Sequence, residues 1–72
     1  MIGYLRGQVF RLAVDHCLLV VGGVGYRVLL PESTRSRLRP GEEGELFIHT
    51  AVREDAITLY GFASEAEYDM FQ

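Results

Sequence analysis

The sequence predicts an all-β domain, a small barrel of five to six short strands with the start of a helix behind it. Three observations point there. Apolar residues come in short runs, alternating or briefly continuous, which is the pattern of strands rather than helices. Eight glycines in 72 residues punctuate those runs. Helical spacing begins only after Ala63.

Ile2, Tyr4 and Leu5 lead into Gln8–Leu12, a long first segment that contains Gly3 and Gly7. Glycine inside a strand pattern marks a bulge or sharp bend, which a small barrel needs at its corners. Cys17–Val21 is a continuous apolar run, consistent with a strand buried on both faces. Gly22-Gly23-Val24-Gly25 is a turn signal, and Tyr26–Leu30 returns to β-type residues until Pro31. The polar stretch Ser33–Leu38 suits one helical turn, closed by Pro40-Gly41. Opened by Gly44, Glu45–Val52 places Leu46, Ile48 and Val52 on one face and Phe47, His49 and Ala51 on the other. Arg53-Glu54-Asp55-Ala56 separates it from Ile57–Phe62, so the two runs read as a hairpin with a charged tip.

Ser64-Glu65-Ala66-Glu67 fits the capping box, in which a serine hydroxyl and a glutamate three residues on satisfy the first orphan amides of a helix. Ala66 and Met70 begin a helix face, and Phe71 follows Glu67 at the same spacing. A helix of this length is marginal by itself, so Gln72 is expected to be a boundary within a longer protein. Residues 1–63 then form the barrel, and residues 64–72 start a helical second domain. A five-stranded OB-type barrel is the economical architecture, because closure removes exposed sheet edges. An SH3-like barrel is its rival.

Composition narrows the function classes. A chain of 72 residues buries only ~60% of the surface its unfolded form exposes, so staples are the usual expectation. Here they are excluded. Cys17 has no internal partner, and one Cys with two His cannot build a structural zinc site. The longest apolar run, Cys17–Val21, is far short of a membrane span, and the N-terminus lacks the layout of a secretory signal. The expected compartment is the cytoplasm. Charge is divided unevenly. Residues 1–40 carry six Arg against Asp15 and Glu32, a formal +4, whereas residues 41–72 carry Arg53 against eight acids, a formal −7. An acidic half argues against simple wrapping of a nucleic-acid backbone.

Tests for chemistry mostly fail. Gly23-x-Gly25 lacks the third glycine and the following helix that hold a pyrophosphate. No lysine is present for a P-loop. His16 and Cys17 are adjacent on a strand and point to opposite faces, so they share no proton. His49 has no carboxylate or thiol at ligand spacing. No catalytic residue, cofactor or metal site emerges. Tyr4, Tyr26, Tyr60 and the phenylalanines resemble base-stacking platforms, but without interleaved basic residues they read as packing groups. Arg35, Arg37 and Arg39 form a small basic cluster, either a phosphate contact or a solvated loop. Glu54 and Asp55 stand out: two adjacent carboxylates on a protruding hairpin, beside Arg53, the lone base of the second half.

Four segments, in order and at matching spacing, carry a resemblance. They are Met1-Ile2-Gly3-Tyr4-Leu5-Arg6-Gly7, Val21-Gly22-Gly23-Val24-Gly25-Tyr26, His49-Thr50-Ala51-Val52-Arg53-Glu54-Asp55-Ala56 and Leu59-Tyr60-Gly61-Phe62. Together they resemble the N-terminal domain of the bacterial Holliday-junction-binding RuvA family, and the stretch from Glu32 to Glu43 adds little. The resemblance implies a homotetramer with an OB-fold first domain, a helical second domain bearing phosphate clamps, and a third domain that engages the RuvB motor ATPase. Such proteins hold four-way junction DNA flat for branch migration in recombination, DNA repair and the SOS response to DNA damage. It further implies that Glu54 and Asp55 are an acidic pin at the junction centre, that Arg53 beside them touches phosphate, and that this subunit is not itself an enzyme.

Physics agrees with that assignment. A carboxylate cannot attract a phosphate, so an acidic tip acts by disfavouring continuous duplex at the centre. At ~5 Å and an effective dielectric of about 20–80, one such pair costs roughly 1–3 kcal/mol before screening. A protein-interaction or oligomerisation barrel that makes no DNA contact is the alternative reading. By itself this chain is expected to be largely monomeric.

Overall fold

The structure, a computed structural model, describes residues 1–71; the expected boundary residue Gln72 lies outside them. Five strands form one closed barrel: β1 (Tyr4–Leu12), β2 (His16–Val21), β3 (Val24–Leu29), β4 (Glu43–Arg53) and β5 (Ala56–Phe62). The order around the barrel is β1-β2-β3-β5-β4. A short helix α1 (Glu32–Arg35) spans the crossover from β3 to β4, and α2 (Glu65–Phe71) follows β5. All pairings are antiparallel except β3 with β5. This is the expected OB-like, all-β architecture, with five strands.

β1 closes the barrel by serving two neighbours. Tyr4–Gln8 pairs with β4, and Gln8–Leu12 pairs with β2. Gly7 sits at the handover, where a Cβ would collide with the Val20 carbonyl oxygen and lie 2.8 Å from a Val21 methyl. Its function is therefore close approach, not a bulge. The bulge expected at a glycine falls instead between Val9 and Arg11, around Phe10. At the β2–β3 turn, Gly22 and Gly23 take φ of 57° and 85°, as a two-residue turn matched to strand twist requires.

Alternation fills the interior. Leu5, Val9, Cys17, Leu19, Val28, Leu46, Ile48 and Leu59 point inward, and Leu30 and Leu38 plug the end that α1 crosses. One expectation changes, and one strand face proves to be only partly buried. Cys17 and Leu19 are buried while Leu18, Val20 and Val21 are half-exposed, so β2 is covered on one face only. Val52 shares the inward direction of Leu46 and Ile48, yet it is 67% exposed because the strand has by then left the barrel.

α2 begins as the capping signature predicts, with the Ser64 hydroxyl accepting the Glu67 N–H at 3.2 Å. The reciprocal half of the box is missing, because Glu67 accepts a hydrogen bond from the Ser33 hydroxyl at 2.9 Å. The buried Thr34 hydroxyl accepts the Ala63 N–H at 3.3 Å. Thus α1 clasps the β5–α2 junction. The packed helix face is Tyr68 and Phe71, against Phe62 at centroid distances of 6.1 and 4.9 Å. Ala66 and Met70, expected to start that face, point to solvent, since β5 lies on the other side of the helix.

Gly7→Ala is expected to overpack the handover and to cost about 1–3 kcal/mol, a drop in Tm of roughly 4–8 °C per kcal/mol at this size. Gly3→Ala meets nothing within 4 Å and stays within about 0.5 kcal/mol of the parent in thermal melts. Burial pushes the Cys17 thiol up to about 11. The native thiol therefore resists alkylation at pH 8 and reacts once denaturant unfolds the chain. Because the folded state holds this proton more tightly, the contribution is complete below the unfolded thiol's ordinary value. It is lost as pH rises toward 11, which equilibrium unfolding at stepped pH measures.

Candidate nucleic-acid interface

The hairpin tip is built by a mismatch in strand length. β4 pairs with β1 from Glu43 to Phe47, and the pairing is extended by Ile48 N–H donating to the Gly3 carbonyl at 2.9 Å. Thr50 ends it, donating through its hydroxyl to the Ile2 carbonyl at 2.6 Å. On the other side β5 pairs with β3 only at Leu59 and Tyr60. Beyond these points the rungs Ala51–Thr58, Val52–Ile57 and Arg53–Ala56 pair only with each other. The result is a two-stranded ribbon standing off the barrel, with Glu54 and Asp55 as its two-residue loop.

Both loop residues are exposed, as are Arg53 and Ala56. Among the described residues neither carboxylate accepts a side-chain hydrogen bond or faces a cation within 4 Å. Among the described residues positive φ is confined to glycines, so this loop is not one of the primed turns that match strand twist. The two carboxylates thus have no ion pair within 4 Å among the described residues, although Arg53 is the adjacent residue. They stand at the end of the barrel that also carries the N-terminus and the Gly22–Gly23 turn, because β1 runs antiparallel to β4 and β3 parallel to β5.

Val52 and Ile57 face each other across the ribbon and are 67% and 71% exposed. Sequence reasoning placed Val52 on the face of Leu46 and Ile48 and gave no sign that this apolar pair is exposed. Alternation gave the correct face, but the height at which the barrel stops is set by neighbouring strands.

The other candidates resolve into structure. Tyr4 donates to Glu45 at 2.6 Å, which raises its phenol above the ordinary value, and its ring tilts against Phe47 at 5.6 Å. Tyr26 packs against the core. Tyr60 lies 5.4 Å from Phe71, and His49 5.3 Å, so both belong to the seat of α2. His16 holds Asp15 at 2.8 Å, pulling that carboxyl below its usual value, while Cys17 points into the barrel. The three crossover arginines are held differently. Arg39 donates back to the Ser36 and Leu38 carbonyls at 3.1 and 3.2 Å, Arg35 is half-buried and Arg37 is exposed. No group of three or more metal-ligating side chains occurs among the described residues, and no described helix is long and apolar enough to cross a membrane.

A family model described as the RuvA N terminal domain matches residues 1–61. Over its whole length the chain is 51% identical to the Holliday junction branch migration complex subunit RuvA of Symbiobacterium thermophilum, covering 36% of that protein. It is 51% identical to the subunit of the same name from Halothermothrix orenii, covering 37% of it. For the Trichlorobacter lovleyi subunit the identity is 50%, again over the whole chain and 36% of the relative. The chain thus spans little more than a third of the length of these curated relatives. With the barrel and its ribbon, these matches place the chain in the RuvA N-terminal domain family.

Proposed function

We propose that this chain is the N-terminal barrel of a Holliday-junction-binding subunit, and that Glu54 and Asp55 form an acidic pin at the junction centre. The single observation that carries the reading is the unneutralised pair of carboxylates at the end of a ribbon that no other strand touches. Residues 1–63 are the barrel domain, and residues 64–72 begin a helical second domain that supplies phosphate clamps. The family name brings junction DNA and branch migration; a RuvB-type motor ATPase and a homotetramer are the partners in this reading, and the cytoplasm is the compartment. The subunit is not an enzyme. It selects DNA shape, and any ATP-driven work belongs to the motor.

The mechanism is electrostatic exclusion. Phosphates of a continuous duplex crossing the tip meet both carboxylates, whereas four strands diverging at a junction leave the centre open. Each repulsive pair is worth roughly 1–3 kcal/mol before screening, and salt weakens it over about 10 Å. Arg53, one residue behind the tip, reaches phosphates flanking that opening.

A second reading rests on Val52 and Ile57, whose exposure suits contact between copies of this barrel. In it, the ribbon organises subunits and touches no DNA.

One set of variants separates the two. These 72 residues replace the matching stretch of the Symbiobacterium thermophilum relative, and the chimera is offered four-way junction against linear duplex of matched sequence. Glu54→Gln with Asp55→Asn is expected to raise duplex binding relative to junction by about fivefold or more at low salt. Arg53→Gln is expected to weaken junction binding and lower its salt slope by about 0.9 for each phosphate that is no longer neutralised. Unchanged preference in the double variant, with subunit assembly abolished by Val52→Ser, would favour the interaction module.

A further inference from the structure

Aromatic and basic residues that lie apart in the sequence meet on the outside of the barrel. Because β1 slips register against β2 between Val9 and Arg11, Phe10 and Arg11 both stand opposite Leu18. A bulge of this kind sets two residues against one. Both are exposed, Phe10 at 61%, while Val9 on the inner face is buried. Across β2, Leu18 pairs with the exposed Arg27 of β3. One row of the outer surface therefore reads Phe10 with Arg11, then Leu18, then Arg27. The two arginine backbones are about 10 Å apart, twice the spacing of neighbouring strands.

The next row keeps the surface low. It runs Gln8, Val20, Gly25, and a Cβ on Gly25 would lie 3.2 Å from a Leu18 methyl. Leu18 leans over the glycine, giving a half-exposed apolar floor between two cations. Neither Arg11 nor Arg27 has a carboxylate within 4 Å among the described residues. Arg6, further along β1, differs in facing Glu43 at 3.9 Å and pairing with Glu45. Asp15 lies near enough to feel Arg27, but its carboxylate is held by His16 at 2.8 Å.

We propose that this outer face of β1, β2 and β3 binds single-stranded DNA, with Phe10 stacking on an unpaired base and Arg11 and Arg27 holding phosphates on either side of Leu18. Charged groups with an aromatic ring and a flat apolar floor are what a backbone with unstacked bases requires. A duplex offers no free base face to Phe10, and strands 2 and 3 of this barrel type are suited to oligonucleotides. The face is on the barrel wall, not at the hairpin tip, so the proposal does not depend on the acidic pin.

The test uses this chain, a fluorescein-labelled oligothymidine and a duplex of equal length, followed by anisotropy across a salt series. Arg11→Ser and Arg27→Ser are each expected to weaken oligothymidine binding about fivefold and to lower the salt slope by about 0.7. Phe10→Ala is expected to weaken it at least about fivefold with little change in slope, the low end of base stacking. Arg37→Ser removes an equal charge from the crossover and stays within about twofold. Melting temperatures close to the parent's establish that each variant is folded. The proposal is overturned if the parent chain leaves oligothymidine unbound at millimolar concentration or prefers the duplex. Equal losses for Arg37→Ser and for the face variants would also overturn it.

Discussion

Everything distinctive in this domain depends on where the hydrogen-bond register of the barrel starts and stops. β1 is shared between β4 and β2, and the handover at Gly7 brings its backbone against the Val20 carbonyl. β3 closes on β5 through Leu59 and Tyr60 alone. Those limits leave β4 and β5 longer than the wall around them. The surplus has nowhere to pair except with itself, so it projects. A ribbon of three rungs carries its two loop carboxylates outward, with no cation within 4 Å of them among the described residues.

The same register explains how an acidic half-chain serves a DNA-directed family. Glu43 and Glu45 are engaged by Arg6 and Tyr4, and Glu67 by Ser33, so these acids belong to the scaffold. Glu42, Glu65 and Asp69 have no side-chain partner among the described residues either, and Glu54 and Asp55 differ from them in standing at the ribbon tip. Repulsion gives shape selection but no affinity, so in the proposed reading attraction falls to other elements: clamps in a second domain and, on the barrel wall, Arg11 and Arg27. In that reading selection and attraction are spatially separate. The clasp of α1 on the β5–α2 junction, through Thr34 and Ser33, fixes the direction in which the chain leaves the barrel.

Much of this is legible in the residues alone. Short apolar runs, alternating or briefly continuous, locate all five strands, Gly22-Gly23 marks the tight turn, Ser64 caps α2, and the hairpin with its Arg53-Glu54-Asp55 tip is plain from the pattern. What escapes such a reading depends on pairs distant in sequence. The bulge at Phe10 involves no glycine and exists only relative to Leu18. Val52 has the face predicted for it but lies above the barrel's rim, a height set by β1 and β3. Phe10, Arg11 and Arg27 look unrelated until β2 places Leu18 between them. Arg35, Arg37 and Arg39 are close in sequence yet held differently, Arg35 half-buried, Arg37 exposed, and Arg39 exposed with its guanidinium on the Ser36 and Leu38 carbonyls.

The pin proposal is at root positional: it puts the tip of the ribbon at the crossover of a four-way junction. Photocrosslinking from Ala56, exposed beside the tip, probes that position in the chimera bound to a fixed, non-migrating junction. Adducts are expected only at the nucleotides flanking the crossover, on all four strands. Adducts spread along the arms, or efficient crosslinking between subunits with none to DNA, would place the tip elsewhere and refute the pin.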